Sequence, residues 1–263
     1  MLTNNQVKFL RSLQLKKNRN GEKLFIAEGE KIVEEILNSQ HKVNSVFAVS
    51  DWVSQHKNKA YFQKIKSEKI SLTEVSENEL SRISSLTTPN KVIAIVQIPE
   101  NTVDTSQLKD QWSIVLDEIQ DPGNLGTLIR TADWFGIRTI ICSENSVDLY
   151  NAKVIQSTMG SFCRVHVAYT NLEKFFQEVK EKLSLPVFGA VLNGKDISGI
   201  KIPETGLLLL GNESRGISEN LYPFITQKVS IPSVSGIATA ESLNVAIANG
   251  ILCYELFKSR MTK

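Results

Sequence analysis

Short apolar runs alternate with segments of helical periodicity throughout the second half of the chain. Each run has the length of a β-strand, and the segments between them carry apolar residues at three- and four-residue intervals. The predicted strands span residues 113–119, 139–143, 164–169, 186–191, 206–210 and 228–231. The predicted helices span residues 125–135, 151–158, 170–183 and 241–258, the last burying Leu243, Ile247, Ile251 and Tyr254. This alternation predicts an α/β fold with a mostly parallel sheet and helices on both faces.

The first hundred residues follow a different plan and predict a small α/β unit. Helices are expected over residues 4–15 and 30–38, a polar helical stretch over 57–69, and strands over 24–29, 43–49 and 92–98. Ser76 and Glu79 have the spacing of a capping box that opens a short helix. Residues 99–111, PENTVDTSQLKDQ, are polar and lack apolar periodicity. They predict a linker between a domain of residues 1–98 and a second domain of residues 112–263.

Composition places the chain among soluble proteins that form a core. Hydrophobic residues make up 41% and charged residues 22% of its 263 residues. No apolar run approaches the roughly 18 residues of a membrane span, and the N-terminus has no signal-peptide pattern, so we expect a cytosolic location. The cysteines Cys142, Cys163 and Cys253 and the three histidines are isolated from one another. This scatter predicts neither a disulfide framework nor a metal site.

The positive charge is concentrated near the N-terminus. The net charge is only +2, but residues 1–100 hold 15 Lys and Arg against 11 Asp and Glu. Glu22 is the one acidic residue within the run formed by Lys8, Arg11, Lys16, Lys17, Arg19 and Lys23. Such a run is either a solvated helix face or a surface that attracts the phosphates of RNA, and the charge alone does not choose between them.

Three loops that follow predicted strands are unusually polar and rich in turn residues. They are QDPGNLG after Ile119, GNESRG after Leu210, and residues 232–241. Each has an ordinary explanation as a turn or a helix cap, with Asn124 capping one helix. Parallel strands, however, place such loops at one edge of the sheet, where ligands bind. Taken together, they predict a binding site at that edge.

The residue types in these loops restrict the chemistry. GNESRGIS has the glycine spacing of a P-loop, but Ile217 stands where the phosphate-binding lysine is required. The dinucleotide pattern G-x-G-x-x-G does not follow the first strand of this part. The remaining polar side chains include neither imidazole nor thiolate, which argues against a nucleophilic relay. They can grip a phosphate and orient a hydroxyl, and they are Asn124, Arg130, Glu213, Ser242 and Asn244.

Three ordered motifs resemble those of the SpoU, or TrmH, family of RNA 2′-O-ribose methyltransferases. They are DPGNLGTLIRTA (121–132), LLGNESRGIS (209–218), and Ile231-Pro232 followed by SLNVA (242–246). The earlier segment LFIAEGEKIVEEIL (24–37) resembles the ribosomal-protein-like domain that binds the substrate in such proteins. The resemblance implies a C-terminal trefoil knot, S-adenosylmethionine as methyl donor, a homodimer that completes the active site, and an RNA substrate, with ribosomal RNA favoured over transfer RNA.

The resemblance also implies roles for individual residues. Arg130 would hold a phosphate and polarise the 2′-hydroxyl, helped by the other four polar residues named above. The methyl donor would be held near Leu192, Gly211, Asn212, Ile231 and Leu243, and RNA by the N-terminal basic run. Two departures from the family pattern concern Gln156, where an arginine is usual, and the long segment 233–241. The alternatives are a non-catalytic RNA-binding module of the same fold and a nucleotide-hydrolysing or dinucleotide enzyme.

Overall fold

The computed structural model describes residues 2–86, 88–100, 102–234 and 240–261. The chain forms two compact units. Unit 1 comprises Met1–Glu100 together with Asp148–Cys163, and unit 2 comprises Asn101–Val147 together with Arg164–Lys263. Helices and strands are numbered below in chain order. Nothing in the described parts of the chain forms a helix that is both long and apolar enough to cross a membrane.

Unit 1 is a four-stranded sheet with helices around it, in the strand order β1-β4-β2-β3. β1 and β2 each pair with β4 in antiparallel register, and β2 pairs with β3 in parallel register. Its strands are β1 (Leu24–Glu28), β2 (Val43–Ala48), β3 (Ser71–Glu74) and β4 (Val92–Gln97), and its helices are α1 (Asn4–Ser12), α2 (Lys16–Glu22), α3 (Glu30–Leu37), α4 (Ser50–His56), α5 (Phe62–Ser67), α6 (Glu77–Ser81) and α8 (Ala152–Thr158).

The helices of unit 1 differ from the sequence-based predictions mainly in where they begin and end. The capping box at α6 is confirmed, since Ser76 Oγ accepts from the N–H of Glu79 and the Glu79 carboxylate accepts from the N–H of Ser76. The helix predicted for residues 4–15 forms but ends three residues earlier than expected, at Ser12, and a second helix, α2, begins at Lys16. The polar helical stretch predicted over residues 57–69 is shorter than expected, since within it only α5, Phe62–Ser67, is an α-helix.

Unit 2 contains a six-stranded parallel sheet in the order β10-β8-β9-β5-β6-β7, which confirms the predicted fold class. Leu207 and Leu209 of its central strand β9 belong to a core cluster with Val115, Ile141 and Phe176. Its strands are β5 (Trp112–Leu116), β6 (Thr139–Ser143), β7 (His166–Thr170), β8 (Val187–Asp196), β9 (Gly206–Leu210) and β10 (Gln227–Ser230), and its helices are α7 (Pro122–Trp134), α9 (Leu172–Lys182) and α10 (Val245–Met261).

Helix α10 begins later than predicted and turns a different face to the core. Val245, Ala246, Leu252 and Leu256 are buried, as is the polar Asn249. The predicted core positions are exposed instead: Leu243, Ile247, Ile251 and Tyr254. The prediction was wrong because apolar residues surround this helix on most sides, so its sequence does not single out one face. Contact with α7 decides which side is buried.

Candidate active site

The site lies where the connections of unit 2 diverge. Strands β5 and β9 are neighbours, and Leu116 pairs with Leu210 at the ends of both. From β5 the chain continues to β6 on one side, and from β9 it continues to β10, which lies beyond β8 on the other side. In open parallel sheets such a switch point leaves a crevice at the carboxyl ends of the strands. The loops 117–121 and 211–218 emerge at this point.

Hydrogen bonds tie these two loops together. Asp117 donates its backbone N–H to the carbonyl of Leu210, and its buried carboxylate accepts from the N–H of Ser218 at 2.8 Å. Asn212 Nδ2 donates to the carbonyl of Glu118 at 2.8 Å. The second loop therefore has a fixed position against the first, which is the condition for a preorganised site.

Gly211 shows how tightly the second loop is folded. A Cβ atom at this position would lie 2.2 Å from the carbonyl carbon of Gly216 and 2.3 Å from the nitrogen of Ile217. Asn212 closes the loop through backbone hydrogen bonds in both directions with Gly216, and its Oδ1 accepts from the N–H groups of Ser214 and Arg215. The two glycines of GNESRG thus allow a compact turn. Their spacing is explained by this turn, without the lysine at position 217 that a P-loop would require.

A chain of side-chain hydrogen bonds joins three of the five predicted catalytic residues. Asn244 Nδ2 donates to Asn124 Oδ1 at 3.0 Å, and Asn124 Nδ2 donates to Glu213 Oε1 at 2.9 Å. The amide of Asn124 has only one orientation that satisfies both neighbours, because rotating it would oppose donor to donor and acceptor to acceptor. The three residues come from three different segments of sequence and form one polar network.

Two helices begin at this network. Asp121, rather than Asn124 as predicted, caps α7, since its Oδ1 accepts from the N–H of Asn124 at 2.8 Å. Asn244 caps α10 by accepting from the N–H groups of Ala246 and Ile247. Helix N-termini carry partial positive charge, which favours the Glu213 carboxylate and would also favour a bound anion.

Arg130 and Ser242 are not part of this network. Both side chains are exposed, and neither forms a hydrogen bond or ion pair within the described chain. Arg130 lies on the outer side of α7, four residues before Trp134, so the two share one face of the helix. Trp134 is the most exposed large apolar residue described, at 84%. Within a single chain, the arginine expected to contact substrate is therefore separate from the groups expected to assist it.

The residues expected to hold the methyl donor surround the same edge of the sheet. Leu192 lies in a five-residue interruption of the β8–β10 pairing, between Gly189 and Lys195, and is 73% exposed. Ser230 Oγ fixes this interruption by donating to the carbonyl of Gly194 at 2.9 Å. Ile231 follows β10 directly and is half-buried, and Leu243 precedes α10 and is 50% exposed. Exposed aliphatic side chains beside loop backbone suit an adenosine group.

Two of the three cysteines of the chain are unsuited to nucleophilic chemistry. Cys142 and Cys253 are buried, and burial raises the pKa of the Cys253 thiol to about 12 and that of Cys142 further. Neither thiol is a nucleophile near neutral pH. Across the described residues, no three His, Cys, Asp or Glu side chains are grouped as metal ligands.

The N-terminal basic run separates into five exposed residues and one buried residue. Lys8, Arg11, Lys16, Lys17 and Lys23 are exposed. Arg19 is only 3% exposed, and its guanidinium bonds Asp148 and the carbonyls of Leu13 and Gln14. The assignment of Arg19 to RNA binding was therefore wrong, because its guanidinium is buried and already bonded to residues of unit 1.

The two departures from the family pattern have different outcomes. Gln156, at the position of the usual arginine, donates through Nε2 to the carbonyl of Glu28 at 2.6 Å and so has a structural partner in unit 1. The long segment 233–241 includes residues 235–239, which lie outside the described residues. Its effect on the pocket stays a prediction.

Sequence reasoning missed Glu118 and Arg215. Glu118 adopts a left-handed backbone conformation with φ of 53°, and its Oε2 lies 2.5 Å from the Arg215 guanidinium. Its N–H donates to Ser143 Oγ, which links the loop after β5 to the end of β6. Glu118 lies inside the strand predicted over residues 113–119, two residues beyond the observed end of β5, so apolar periodicity gave no signal for it. Arg215 lies inside GNESRG, and its place in that motif was available as a signal.

Comparison with known proteins agrees with this geometry. Residues 111–254 match the SpoU rRNA Methylase family, and residues 4–94 match the MRM3-like substrate binding domain. The chain is 32% identical over 254 residues, 96% of each chain, to the 23S rRNA (guanosine(2553)-2′-O)-methyltransferase RlmP of Bacillus subtilis (strain 168). It is 26% identical to the 23S rRNA (guanosine-2′-O-)-methyltransferase RlmB of Neisseria meningitidis, over 82% of this chain and 87% of the relative.

A solved structure extends the likeness to both units. The AdoMet-bound rRNA methyltransferase from Sinorhizobium meliloti superposes with a TM-score of 0.86 at 30% identity, covering 98% of this chain and 96% of that one. The family match spans more than half of the sequence and includes the loops 117–121 and 211–218 and the Asn124–Glu213–Asn244 network. The chain belongs to the SpoU rRNA Methylase family.

Proposed function

We propose that the protein transfers a methyl group from S-adenosylmethionine to a ribose 2′-hydroxyl of ribosomal RNA. The observation that carries this proposal is the Asn244–Asn124–Glu213 network at two helix N-termini, beside the tight turn that the missing Cβ of Gly211 allows. The curated relatives described above are 23S rRNA 2′-O-methyltransferases that act on guanosine, so a guanosine of 23S rRNA is the favoured target. Such a substrate favours a cytoplasmic site of action.

The site residues fit the methyl donor by their chemistry. When bound, S-adenosylmethionine supplies an electrophilic methyl group on a positively charged sulfur. Leu192, Ile231 and Leu243 would cover the adenosine, and the backbone of Gly211 and Asn212 would offer hydrogen bonds at close range. We also expect the chain around these loops to form the trefoil knot implied by the resemblance, which stays a prediction.

Alignment and electrostatics would provide most of the catalysis. Arg130 would donate hydrogen bonds to an RNA phosphate and stabilise the negative charge that develops on the 2′-oxygen. Its guanidinium is a hydrogen-bond donor and not a general base, so the proton that the 2′-hydroxyl loses as the methyl group is transferred would pass to solvent. Asn124, Glu213 and Asn244 would orient the ribose as one unit, with the hydroxyl of Ser242 as a further hydrogen-bonding group. These roles require the Arg130 guanidinium to lie close to the Asn124–Glu213–Asn244 network.

A homodimer would bring Arg130 to the network of the partner subunit. The outer faces of α7 and α10, two helices that pack together, present Trp134, Ile247, Ile251 and Tyr254 to solvent. An apolar surface of this kind on a soluble chain is typical of an interface. Arg130 lies on the α7 part of this surface, so association through it would place the guanidinium against a second copy. We call this surface the α7–α10 face.

We assign RNA capture to unit 1 and chemistry to unit 2. Lys8, Arg11, Lys16, Lys17 and Lys23 are exposed, and none of their side chains forms an ion pair or hydrogen bond with a described residue, so all five can contact phosphates. The match of residues 4–94 to a substrate-binding domain supports this assignment. The domain limits proposed from sequence, 1–98 and 112–263 with a linker between, stay a prediction.

Methyl-labelled donor tests the proposed reaction directly. The protein is incubated with S-adenosylmethionine and either ribosomal or transfer RNA, and the product is hydrolysed in alkali. A 2′-O-methyl group blocks cleavage of the next linkage, so the label should remain in a dinucleotide from ribosomal RNA. Label in mononucleotides would contradict ribose methylation, and no label with intact RNA binding would favour a non-catalytic module.

A pair of asparagine variants adds a site-specific control. Asn124→Ala removes the middle of the polar network and should abolish most of the incorporation. Asn220→Ala removes an exposed asparagine that also bonds a glutamate, Glu173 at 3.2 Å, outside the network. It should leave incorporation unchanged, and equal losses in both variants would argue against the assigned site.

A further inference from the structure

The turn between α1 and α2, residues 13–15, is held by an unusual number of side-chain donors. Asn18 Nδ2 donates to the carbonyl of Ser12 at 3.0 Å, and Arg19 Nη1 donates to the carbonyls of Leu13 and Gln14 at 3.0 and 2.6 Å. The carbonyl of Leu15 accepts from the backbone N–H groups of Asn18 and Arg19. Four consecutive carbonyls are thus satisfied within the turn, which gives it one defined shape.

Arg19 also anchors this turn to the rest of unit 1. Its Nε and Nη2 atoms donate to Asp148 Oδ2 at 3.1 and 2.5 Å, and Leu13 beside it is 1% exposed. An arginine that bonds both a carboxylate and two backbone carbonyls resists displacement, because moving it would leave buried polar groups unpaired. A surface that must press against another molecule benefits from such rigidity, since little freedom remains to be lost on binding.

The anchored turn and the helix α1 before it each present one exposed apolar side chain in a basic setting. Leu15 is 64% exposed, and Phe9 on α1 is 40% exposed. The five exposed cations of the basic run lie on the same two helices or directly after them, and Glu22 is the only acidic residue of residues 2–23. Single exposed leucines are common on proteins. Here the leucine lies at the tip of a rigid turn with a local excess of positive charge.

We propose that this turn contacts unpaired bases of the RNA substrate, with Leu15 inserted between bases and Phe9 stacked on one of them. The inference rests on the proposed RNA methylation and specifies which feature of the RNA unit 1 recognises. Apolar side chains wedge between bases in many nucleic-acid complexes, and aromatic rings stack on bases that are splayed out of single strands. The surrounding cations would bind the phosphates on either side.

Charge complementarity favours RNA over a protein partner. These five cations, whose side chains pair with no residue that the structure describes, would remain unpaired in a mainly apolar protein interface, whereas each can meet a phosphate along an RNA strand. An anionic membrane surface would also attract these cations, and it serves as an outcome of the test. Duplex RNA offers phosphates but no gap for Leu15, so the turn should distinguish loops from duplexes.

The test compares two labelled RNAs with the full-length protein. One is a hairpin with 2-aminopurine in its unpaired loop, and the other is a blunt duplex with the same stem. Wild-type protein should prefer the hairpin and raise the 2-aminopurine fluorescence by unstacking the base. Leu15→Ser should weaken hairpin binding about five- to tenfold, abolish the fluorescence rise, and leave both duplex affinity and salt dependence unchanged. Phe9→Ala should weaken hairpin binding in the same selective way.

Two matched variants complete the design. Met159→Ser changes another exposed apolar residue of unit 1 and should bind both RNAs like the wild type. Lys17→Gln should weaken binding to both RNAs alike and reduce the salt slope by about one phosphate contact. The proposal is overturned if Leu15→Ser keeps the preference for the hairpin, or if anionic phosphatidylglycerol vesicles bind the wild type while neither RNA does. Methylation by the wild type is measured in parallel, so that absence of base insertion by Leu15 is distinguished from absence of methyl transfer.

Discussion

Asn244 Nδ2 lies 3.0 Å from Asn124 Oδ1, although 120 residues separate the two asparagines in sequence. The same Asn244 side chain caps α10, with its Oδ1 accepting from Ala246 and Ile247. One residue therefore fixes the start of the last helix and the orientation of the polar network. Its two functions use different atoms, which allows them to be separated by substitution.

Replacing Asn244 should separate helix capping from catalysis. Asn244→Asp keeps an acceptor for the cap but opposes an oxygen to Asn124 Oδ1, so methyl transfer should fall strongly while thermal stability stays near that of the wild type. Asn244→Ala loses both roles and should also be less stable by about 1 kcal/mol. Single-turnover rates and urea unfolding measure the two effects. Equal stability of both variants would contradict the capping role.

Substitution of Arg130 tests its proposed contact with the substrate. Arg130→Lys should fold and bind S-adenosylmethionine normally, because the side chain is exposed and has no partner among described residues. A lysine cannot reproduce the planar donors of a guanidinium, so the single-turnover rate should fall by about 10²-fold or more. Arg138→Lys, an exposed arginine just beyond α7, is the matched control and should retain the wild-type rate. A rate within a few-fold of the wild type for Arg130→Lys would show that Arg130 is a surface residue without a catalytic contact.

A charge on the α7–α10 face should disrupt the proposed dimer. Ile251→Asp places a carboxylate in the exposed apolar stripe of α10, where burial against a second copy would be costly. Sedimentation should show a dimer for the wild type at micromolar concentration and a monomer for Ile251→Asp, with methyl transfer largely lost. Leu15→Asp introduces the same charge at an exposed leucine of unit 1 and should remain dimeric. A dimeric Ile251→Asp would exclude this face as the interface.

Mild acid should destabilise the protein through its histidines. Burial and the nearby Lys64 lower the pKa of His41 below its ordinary value of 6.5, and burial lowers that of His166. Below about pH 6.5 these histidines are therefore protonated more readily in the unfolded chain than in the folded chain. The free energy of unfolding is at its full value above this pH and declines as the pH falls. His41→Gln should flatten the decline in the urea midpoint between about pH 7 and 5. An unchanged pH dependence in this variant would contradict the assignment.

The sequence by itself determined the parallel sheet, the three polar loops and the family. These features depend on local periodicity and on short motifs, both of which are present in consecutive residues. Asn124, Glu213 and Asn244 could be selected because each belongs to such a motif. Their mutual hydrogen bonds could not, since strand order and the switch point between β5 and β9 are what bring the three segments together.

Only the tertiary structure decided whether a side chain is buried, paired or exposed when its neighbours are distant in sequence. Arg19 has the sequence context of an RNA-binding cation, yet Asp148, 129 residues away, provides a partner that makes its burial favourable. Ile247, Ile251 and Tyr254 are typical core residues, yet α10 packs on α7 through another face and leaves them exposed. Local patterns indicate that a residue can be buried or charged, and the packing of remote elements determines whether it is paired, buried or exposed to a partner.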